Sequence, residues 1–303
     1  MARSNLQIKV GTYTGDGVDG TNITGVGFRP DLVIVKGGAN FTVFRTKEMK
    51  GDTTGYLGTN VATLADAIQE ILNDGFQVGT HATVNAAATT YYYIAIRGAA
   101  GQNYFRTGKY TGNGTDARDF ITGGLGFTPD YVAISADAAQ NKIFRTSTMS
   151  GDSTGNFGGA INIANAIQNL QSNGFQLGTD GKVNTSAGAY YFFALKELSG
   201  VIDVSTFVGD ATDNRNITGI GFQPDVIFIK SADTTGQARM KTSDLAGDAA
   251  LPFGNAASGT NWIQSILADG FQVGSSGNGN AENYHILCLK AGSFNAPIVR
   301  TAA

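Results

Sequence analysis

Gly27-Phe28-Arg29-Pro30-Asp31 runs directly into the apolar stretch Leu32-Val33-Ile34-Val35. The same arrangement returns as Gly126-Phe127-Thr128-Pro129-Asp130 before Tyr131-Val132-Ala133-Ile134. It returns again as Gly221-Phe222-Gln223-Pro224-Asp225 before Val226-Ile227-Phe228-Ile229. The intervals are 99 and 95 residues. Proline stands just ahead of each run, where its missing N–H does no harm to a ladder. Short apolar runs bounded by turn signals read as strands. These strands do not alternate, so both of their faces must be covered. A lone two-sheet sandwich covers only one face of each sheet. The neighbouring repeat is the nearest source of the second cover.

Other markers keep the same beat. Gly51-Asp52 returns as Gly151-Asp152 and Gly247-Asp248, and Asp74 to Gly79 returns as Asn173 to Gly178 and Asp269 to Gly274. Each unit opens with a β-like segment and a turn: Ile8 to Tyr13 before Thr14-Gly15-Asp16-Gly17, Lys109 to Gly114, and Thr206 to Asp210. Asp-Gly and Asn-Gly pairs supply the positive φ that tight turns need. Each unit closes on a second apolar segment, Tyr91 to Ile96, Tyr190 to Leu195 and Tyr284 to Leu289. A middle segment, Phe41 to Thr46, recurs as Lys142 to Thr146 and alternates better. Ala67 to Leu72 is ambiguous. Ile68, Ile71 and Leu72 have helical spacing, yet the segment runs into Asn73-Asp74-Gly75 and Phe76-Gln77-Val78, the turn and second arm of a hairpin. Strand is the favoured reading, with a helical turn ahead of it as the alternative.

A period this long exceeds the 20 to 50 residues of solenoid repeats. The expected fold is all-β: three tandem, homologous, antiparallel β-sandwich domains near residues 1–99, 100–199 and 200–293, with a tail at 294–303. The linkers are short, Gly98 to Gly101 and Leu198 to Val201. Packing of the units against one another, with a pseudo-threefold axis as one arrangement, would hide the outer faces of the apolar strands. An isolated unit is then expected to self-associate, because soluble monomers avoid large exposed apolar patches.

Charged residues make up 15% of the chain, and 42 of the 303 residues are glycine. The averages are about 25% and about 7%, so turns rather than charges dominate the surface. The net charge is −3 with no basic run, which argues against a nucleic-acid partner. The single Cys288 leaves no internal disulfide and lies in an apolar run, where it reads as a small buried hydrophobe. Met1 to Asn5 lacks an apolar signal core, and no apolar stretch is long enough for a bilayer. The expectation is synthesis in a cytoplasm, with no signal peptide and no membrane insertion.

No catalytic constellation recurs. Asp16 with Asp19, Asn113 with Asp116, and Asp210 with Asp213 repeat at i, i+3. Calcium needs six to eight oxygens, so turn-making is the expected role. Arg45 with Asp52 and Arg145 with Asp152 become Lys241 with Asp248 in the third unit, which suits an ion pair or loop brace better than catalysis. His81 and His285 occupy different places in their repeats, and no set of three or four zinc ligands is visible. No nucleophile elbow or phosphate loop occurs. Carboxylate pairs of the glycosidase kind leave no sequence signature, but Glu48, Glu70, Glu197 and Glu282 do not recur. Tyr56, Phe157 and Phe253, each beside glycine after the Gly-Asp turn, could stack on a sugar or anchor a partner. The blander expectation is that they tuck back to close the sandwich. The sequence therefore assigns no catalytic residue, no metal and no cofactor, and leaves binding residues unknown.

Gly-Phe-x-Pro-Asp with its strand, then Asp-Gly-Phe-x-Val/Leu-Gly, then Val-Asn and a Tyr-rich strand resembles a repeat of phage tail, fibre and other virion proteins. It appears here as Gly27 to Lys36, Asp74 to Gly79, Val84-Asn85 and Tyr91 to Ile96. Val183-Asn184 serves in the second unit, and Gly279-Asn280 stands in for Val-Asn in the third. The resemblance spans Leu6 to Ala291. It implies a concanavalin-like or jelly-roll sandwich on a virion surface and carries no catalytic residues. What it implies is a non-enzymatic virion structural protein, a tail or fibre component in host adsorption. A capsid decoration protein, a free carbohydrate-binding lectin and a polysaccharide depolymerase are the alternatives. The partners implied are other virion proteins, a host-surface glycan and further copies of the chain. No coiled coil, collagen-like shaft or particle-attachment domain is recognisable, and Ser293 to Ala303, with Pro297 and Ile298-Val299, reads as a short tail.

Overall fold

The computed structural model describes residues 5–99, 103–120 and 124–295. Met1 to Ser4, the end of the first linker at 100–101, and the tail segment with Pro297 and Ile298-Val299 lie outside the described residues. The fold is almost entirely β, with antiparallel sheets throughout.

In the first unit β1 (Leu6–Thr14), β2 (Thr21–Thr24), β3 (Leu32–Gly37), β4 (Val43–Thr46), β5 (Gly55–Tyr56), β6 (Ile68–Leu72) and β7 (Gly75–Val78) precede a one-turn helix, α1 (Ala82–Asn85), and β8 (Thr90–Arg97). One sheet has the order β1-β8-β3-β4-β5, and the other β2-β7-β6. The two share a core of Val33, Val35, Val43, Ile68, Phe76, Val84 and Tyr91. The second unit repeats this. Phe105–Thr111, Ala189–Leu195, Tyr131–Ala136, Ile143–Thr146 and Gly155–Asn156 form its larger sheet, and Arg118–Phe120, Gly174–Leu177 and Ile167–Gln171 the smaller. In the third, Ile202–Val208, Asn283–Leu289, Val226–Ser231, Arg239–Thr242 and Leu251–Pro252 form the larger, and Arg215–Thr218, Gly270–Val273 and Ile263–Leu267 the smaller. The ambiguous segment at 67–72 is strand. Ile68 to Leu72 pairs with β7 through a bulge between Ile68 and Glu70, which explains why its apolar spacing looks helical.

All six residues of β3 are buried, as are all six of Tyr131–Ala136 and of Val226–Ser231. One side faces the unit's own sandwich. The other enters a cluster drawn from all three units, with Leu32, Ile34, Phe44, Leu57, Tyr131, Phe144, Phe157, Phe193, Phe228 and Phe253 among its members. The shared cluster also corrects the reading of the middle strand. Its alternation is one of chemistry and not of exposure, because all four residues of Val43–Thr46 are buried. Phe44 enters the shared cluster while the Arg45 side chain turns the other way into loop carbonyls.

Backbone bonds join the units in a ring. Thr63 N donates to Asp137 O at 3.0 Å, Ala238 N to Phe157 O at 3.0 Å, and Thr42 N to Phe253 O at 2.8 Å. These run from the first unit to the second, the third to the second, and the first to the third. The chain end adds one more tie. Gly292–Phe294 pairs antiparallel with Leu6 to Ile8 and becomes the outer strand of the first unit's sheet. The linker at Leu198 to Val201 is a tight turn closed by Ile202 N donating to Leu198 O at 2.8 Å.

Candidate functional site

Most polar residues singled out above are absorbed by the fold. Asp16 accepts from Val18 N at 2.8 Å and from Thr21 Oγ1, while Asp19 accepts from Gln69 Nε2 at 2.7 Å. Asp116 and Asp213 accept from Gln168 and Gln264 in the same way, both at 3.0 Å. The recurring acidic turn is thus tied to the smaller sheet by a recurring glutamine. Among the described residues no group of three or more His, Cys, Asp or Glu converges to hold a metal ion.

Arg45 is a loop brace. Its guanidinium donates to the carbonyls of Gly51 at 2.5 Å and Ile68 at 3.1 Å, and to those of Met49 and Thr53. Arg145 repeats the set with Gly151, Ile167, Met149 and Ser153. Lys241 keeps two members, Gly247 O at 2.7 Å and Ala249 O at 2.9 Å. Asp52 makes no ion pair with Arg45 among the described residues and instead accepts from Asp66 N at 2.6 Å. The glycine of each Gly-Asp pair sits at φ of +57°, +57° and +66°, a left-handed conformation that turns its carbonyl onto the cation.

The aromatic loop residues correct the sequence alignment. β5 and its counterparts align Tyr56 with Asn156 and Pro252, so the partner of Phe157 and Phe253 is Leu57. One residue of slip along a strand exchanges faces. Tyr56 therefore packs within its own sandwich, edge-on to Phe41, while Phe157 and Phe253 stack in the shared cluster with centroids 5.0 Å apart. None of the three is a surface platform. The third-unit counterpart of Val84-Asn85 is also corrected. Asn278, not Asn280, accepts from Asp210 N at 3.2 Å and donates to Thr212 O at 2.9 Å. Asn85 serves Asp16 N and Val18 O identically. A 3-10 turn at Ser275–Gly277 replaces the helical turn and shifts the register.

The histidines part company. His81 caps α1, its Nδ1 accepting from Thr83 N at 3.2 Å. His285 is buried where the second and third units meet, with Nδ1 2.8 Å from Thr148 Oγ1. Burial holds its pKa down to about 4, so the ring is neutral at physiological pH. It lines a cleft of about 430 Å³ with Ser150, Ser153, Asn162, Asp233 and Asn283. Hydroxyls, amides and one carboxylate face that cleft, a surface suited to hydrogen-bonding a polar ligand. Cys288 is fully buried, and burial pushes its thiol up, away from nucleophilic use.

Sequence reasoning missed the buried lysines. Lys36 lies wholly inside and donates to Gly254 O at 2.9 Å, Ala256 O at 3.1 Å and Asn40 O. Lys142 donates to Gln140 O at 2.6 Å, Val61 O at 2.9 Å and Ala138 O at 3.3 Å. Lys230 caps the matching hairpin of the third unit. Burial lowers their pKa values, to about 7 for Lys36 and about 8 for the other two. A lysine ending an otherwise apolar strand run, as at Lys36 and Lys230, was the available signal.

No family model matches the sequence, and neither a curated protein nor a solved structure matches it. No helix among the described residues is long and apolar enough to cross a membrane.

Proposed function

We propose that the chain is a non-enzymatic structural component of a bacteriophage virion, a tail or fibre piece acting in host adsorption. The observation that carries the reading is where the recurrent polar residues go. Arg45, Arg145 and Lys241 brace loops, Asn85, Asn184 and Asn278 tie turns, and Lys36 and Lys142 join units. What the three repeats have in common builds a rigid body and not a reacting centre. The Gly-Phe-x-Pro-Asp repeat and its resemblance to virion proteins supply the particle. Clefts lined by hydroxyls and amides, such as the one beside His285, suit recognition of a polar surface.

The test is fractionation of phage particles produced in the host. The protein is expected to co-purify with them at a fixed copy number. Particles lacking it, with the protein left free in the lysate, would overturn the reading. Release of sugar from host capsule or lipopolysaccharide by the purified protein, lost on a single carboxylate substitution, would favour a depolymerase instead.

A further inference from the structure

Three departures of the third unit from the other two line one cavity, and a fourth, Arg239, packs on the indole that forms part of its wall. Strand register aligns Trp262 with Ala67 and Ala166, and Arg239 with Val43 and Ile143. Glu282 stands two residues before Tyr284, where Thr89 and Gly188 precede Tyr91 and Tyr190. Tyr91 and Tyr190 donate their hydroxyls to backbone carbonyls, Ala82 O at 2.6 Å and Gly181 O at 2.8 Å, whereas Tyr284 donates to Glu282 Oε2 at 2.8 Å. The Arg239 guanidinium lies over the indole of Trp262 at 4.3 Å, and the same indole lines a cavity of about 150 Å³ with Lys230, Gln237, Ser276, Glu282 and Tyr284.

The third of the lining departures is at Lys230. It is only 3% exposed, and its ammonium donates to Ser231 O and to Thr234 O at 3.0 Å. Its register counterparts are Lys36, which Gly254 and Ala256 of a neighbouring unit complete, and Ser135; the second unit's hairpin is capped instead from the next strand by Lys142, which Val61 of a neighbouring unit completes. No neighbour reaches Lys230 among the described residues, so its third N–H has no acceptor there. A buried donor left unpaired is costly, and an ammonium more so. Glu282 Oε1 and the Gln237 amide also have no hydrogen-bond partner among the described residues. Around one small space stand an indole, an unfilled cationic donor, an unfilled anionic acceptor and an amide able to do both.

We infer that this cavity is a binding subsite for a single neutral pyranose, held by a vicinal diol between Lys230 and Glu282 with Trp262 against the ring. One hydroxyl accepts from the ammonium while its neighbour donates to the carboxylate. The apolar C–H face of a sugar meets an aromatic surface favourably. The size argues for one ring, since pockets for drug-sized ligands run from about 300 Å³ upward. Opposed charges at Lys230 and Glu282 favour a neutral sugar over an acidic one, which the carboxylate would repel. The subsite stands on its own residues and does not depend on the virion proposal, so either can fail while the other holds.

The chain has one tryptophan, and it lies in the subsite. Its fluorescence reports occupancy directly. The full-length protein is titrated with methyl glycosides of glucose, galactose, mannose and N-acetylglucosamine, and with glucuronic acid as the charged control. At least one neutral glycoside is expected to give a saturable change with a midpoint in the millimolar range, as suits a single small ring. Glu282→Thr installs the residue of the first unit and Lys230→Met removes the donor; each is expected to weaken binding tenfold or more, with circular dichroism unchanged. Trp262→Ala installs the residue found in the other two units, and loss of binding is then read by calorimetry. The inference is overturned if no neutral glycoside alters the emission up to about 100 mM, if only glucuronic acid does so, or if folded Glu282→Thr responds like the parent.

Discussion

Replacement of Phe253 by alanine tests whether the three units form one cooperative body. Phe253 is fully buried, stacked on Phe157 of the second unit and edge-on to Phe228 of its own, both at 5.0 Å. Its carbonyl accepts from Thr42 of the first unit. Truncating a buried phenylalanine costs about 3–5 kcal/mol in transfer and cavity terms. An aromatic pair accounts for about 0.5–1.5 kcal/mol of such a loss. A protein of ordinary stability has about 5–15 kcal/mol in all, so the change is large. Phe271, equally buried but confined to the third unit's own sandwich, is the matched comparison. Denaturant unfolding is followed by circular dichroism, which sees every strand, and by Trp262 emission, which sees the third unit. With a shared core, both signals should move together for Phe253→Ala, in a single transition at lower denaturant. A double-mutant cycle of Phe157→Ala with Phe253→Ala should show a coupling of about 0.5–1.5 kcal/mol. A circular dichroism curve that splits, with only the Trp262-linked stage displaced, would refute the reasoning. So would additivity to within about 0.3 kcal/mol, the mark of sites that do not touch.

Lys36 is ionised near pH 7 only in part, whereas an unfolded lysine titrates near 10.4. The unfolded chain therefore binds more protons between these values, and stability should rise with pH from about 7 to about 9; Lys36→Met should reduce that rise in denaturation midpoints taken across the range, leaving the share from Lys142 and Lys230. Above that window the buried tyrosines Tyr110 and Tyr131, whose pKa values burial raises, reverse the trend, because their unfolded counterparts ionise first. A second unit expressed alone would expose the faces of Tyr131, Phe144, Phe157 and Phe193 now covered by its neighbours, and should elute as an aggregate or oligomer on size exclusion. Truncation after Ala291 removes the strand paired with Leu6 to Ile8, which should cost about 1–3 kcal/mol on the scale of a few backbone hydrogen bonds and leave an open edge prone to pairing; unchanged stability and a monomeric elution would count against that role.

Strand positions follow from local rules that the chain states three times. Gly-Phe-x-Pro-Asp sets the start of a strand, Asp/Asn-Gly-Phe sets a hairpin, and runs apolar at every position demand cover on two faces. These are short-range or compositional, so residue order alone carries them. That a neighbouring repeat supplies the cover was legible, but which side chains meet was not, because contacts such as Phe44 with Phe193 and Phe157 with Phe253 join residues about a hundred or more positions apart. Register was legible only to within a residue or two. Glycine-flanked loops align by eye equally well at Tyr56 or Leu57, and only the hydrogen-bonded pairing decides which side chain enters the shared core. The candidate subsite was the least legible part. Lys230 resembles Lys36 in sequence, and the difference between them lies in whether a loop from another unit arrives within hydrogen-bonding distance. Sequence determined which segments of each repeat are strands and which of them must be buried on both faces. Tertiary structure alone decided which buried donors stay unpaired, because that depends on long-range geometry and not on local pattern.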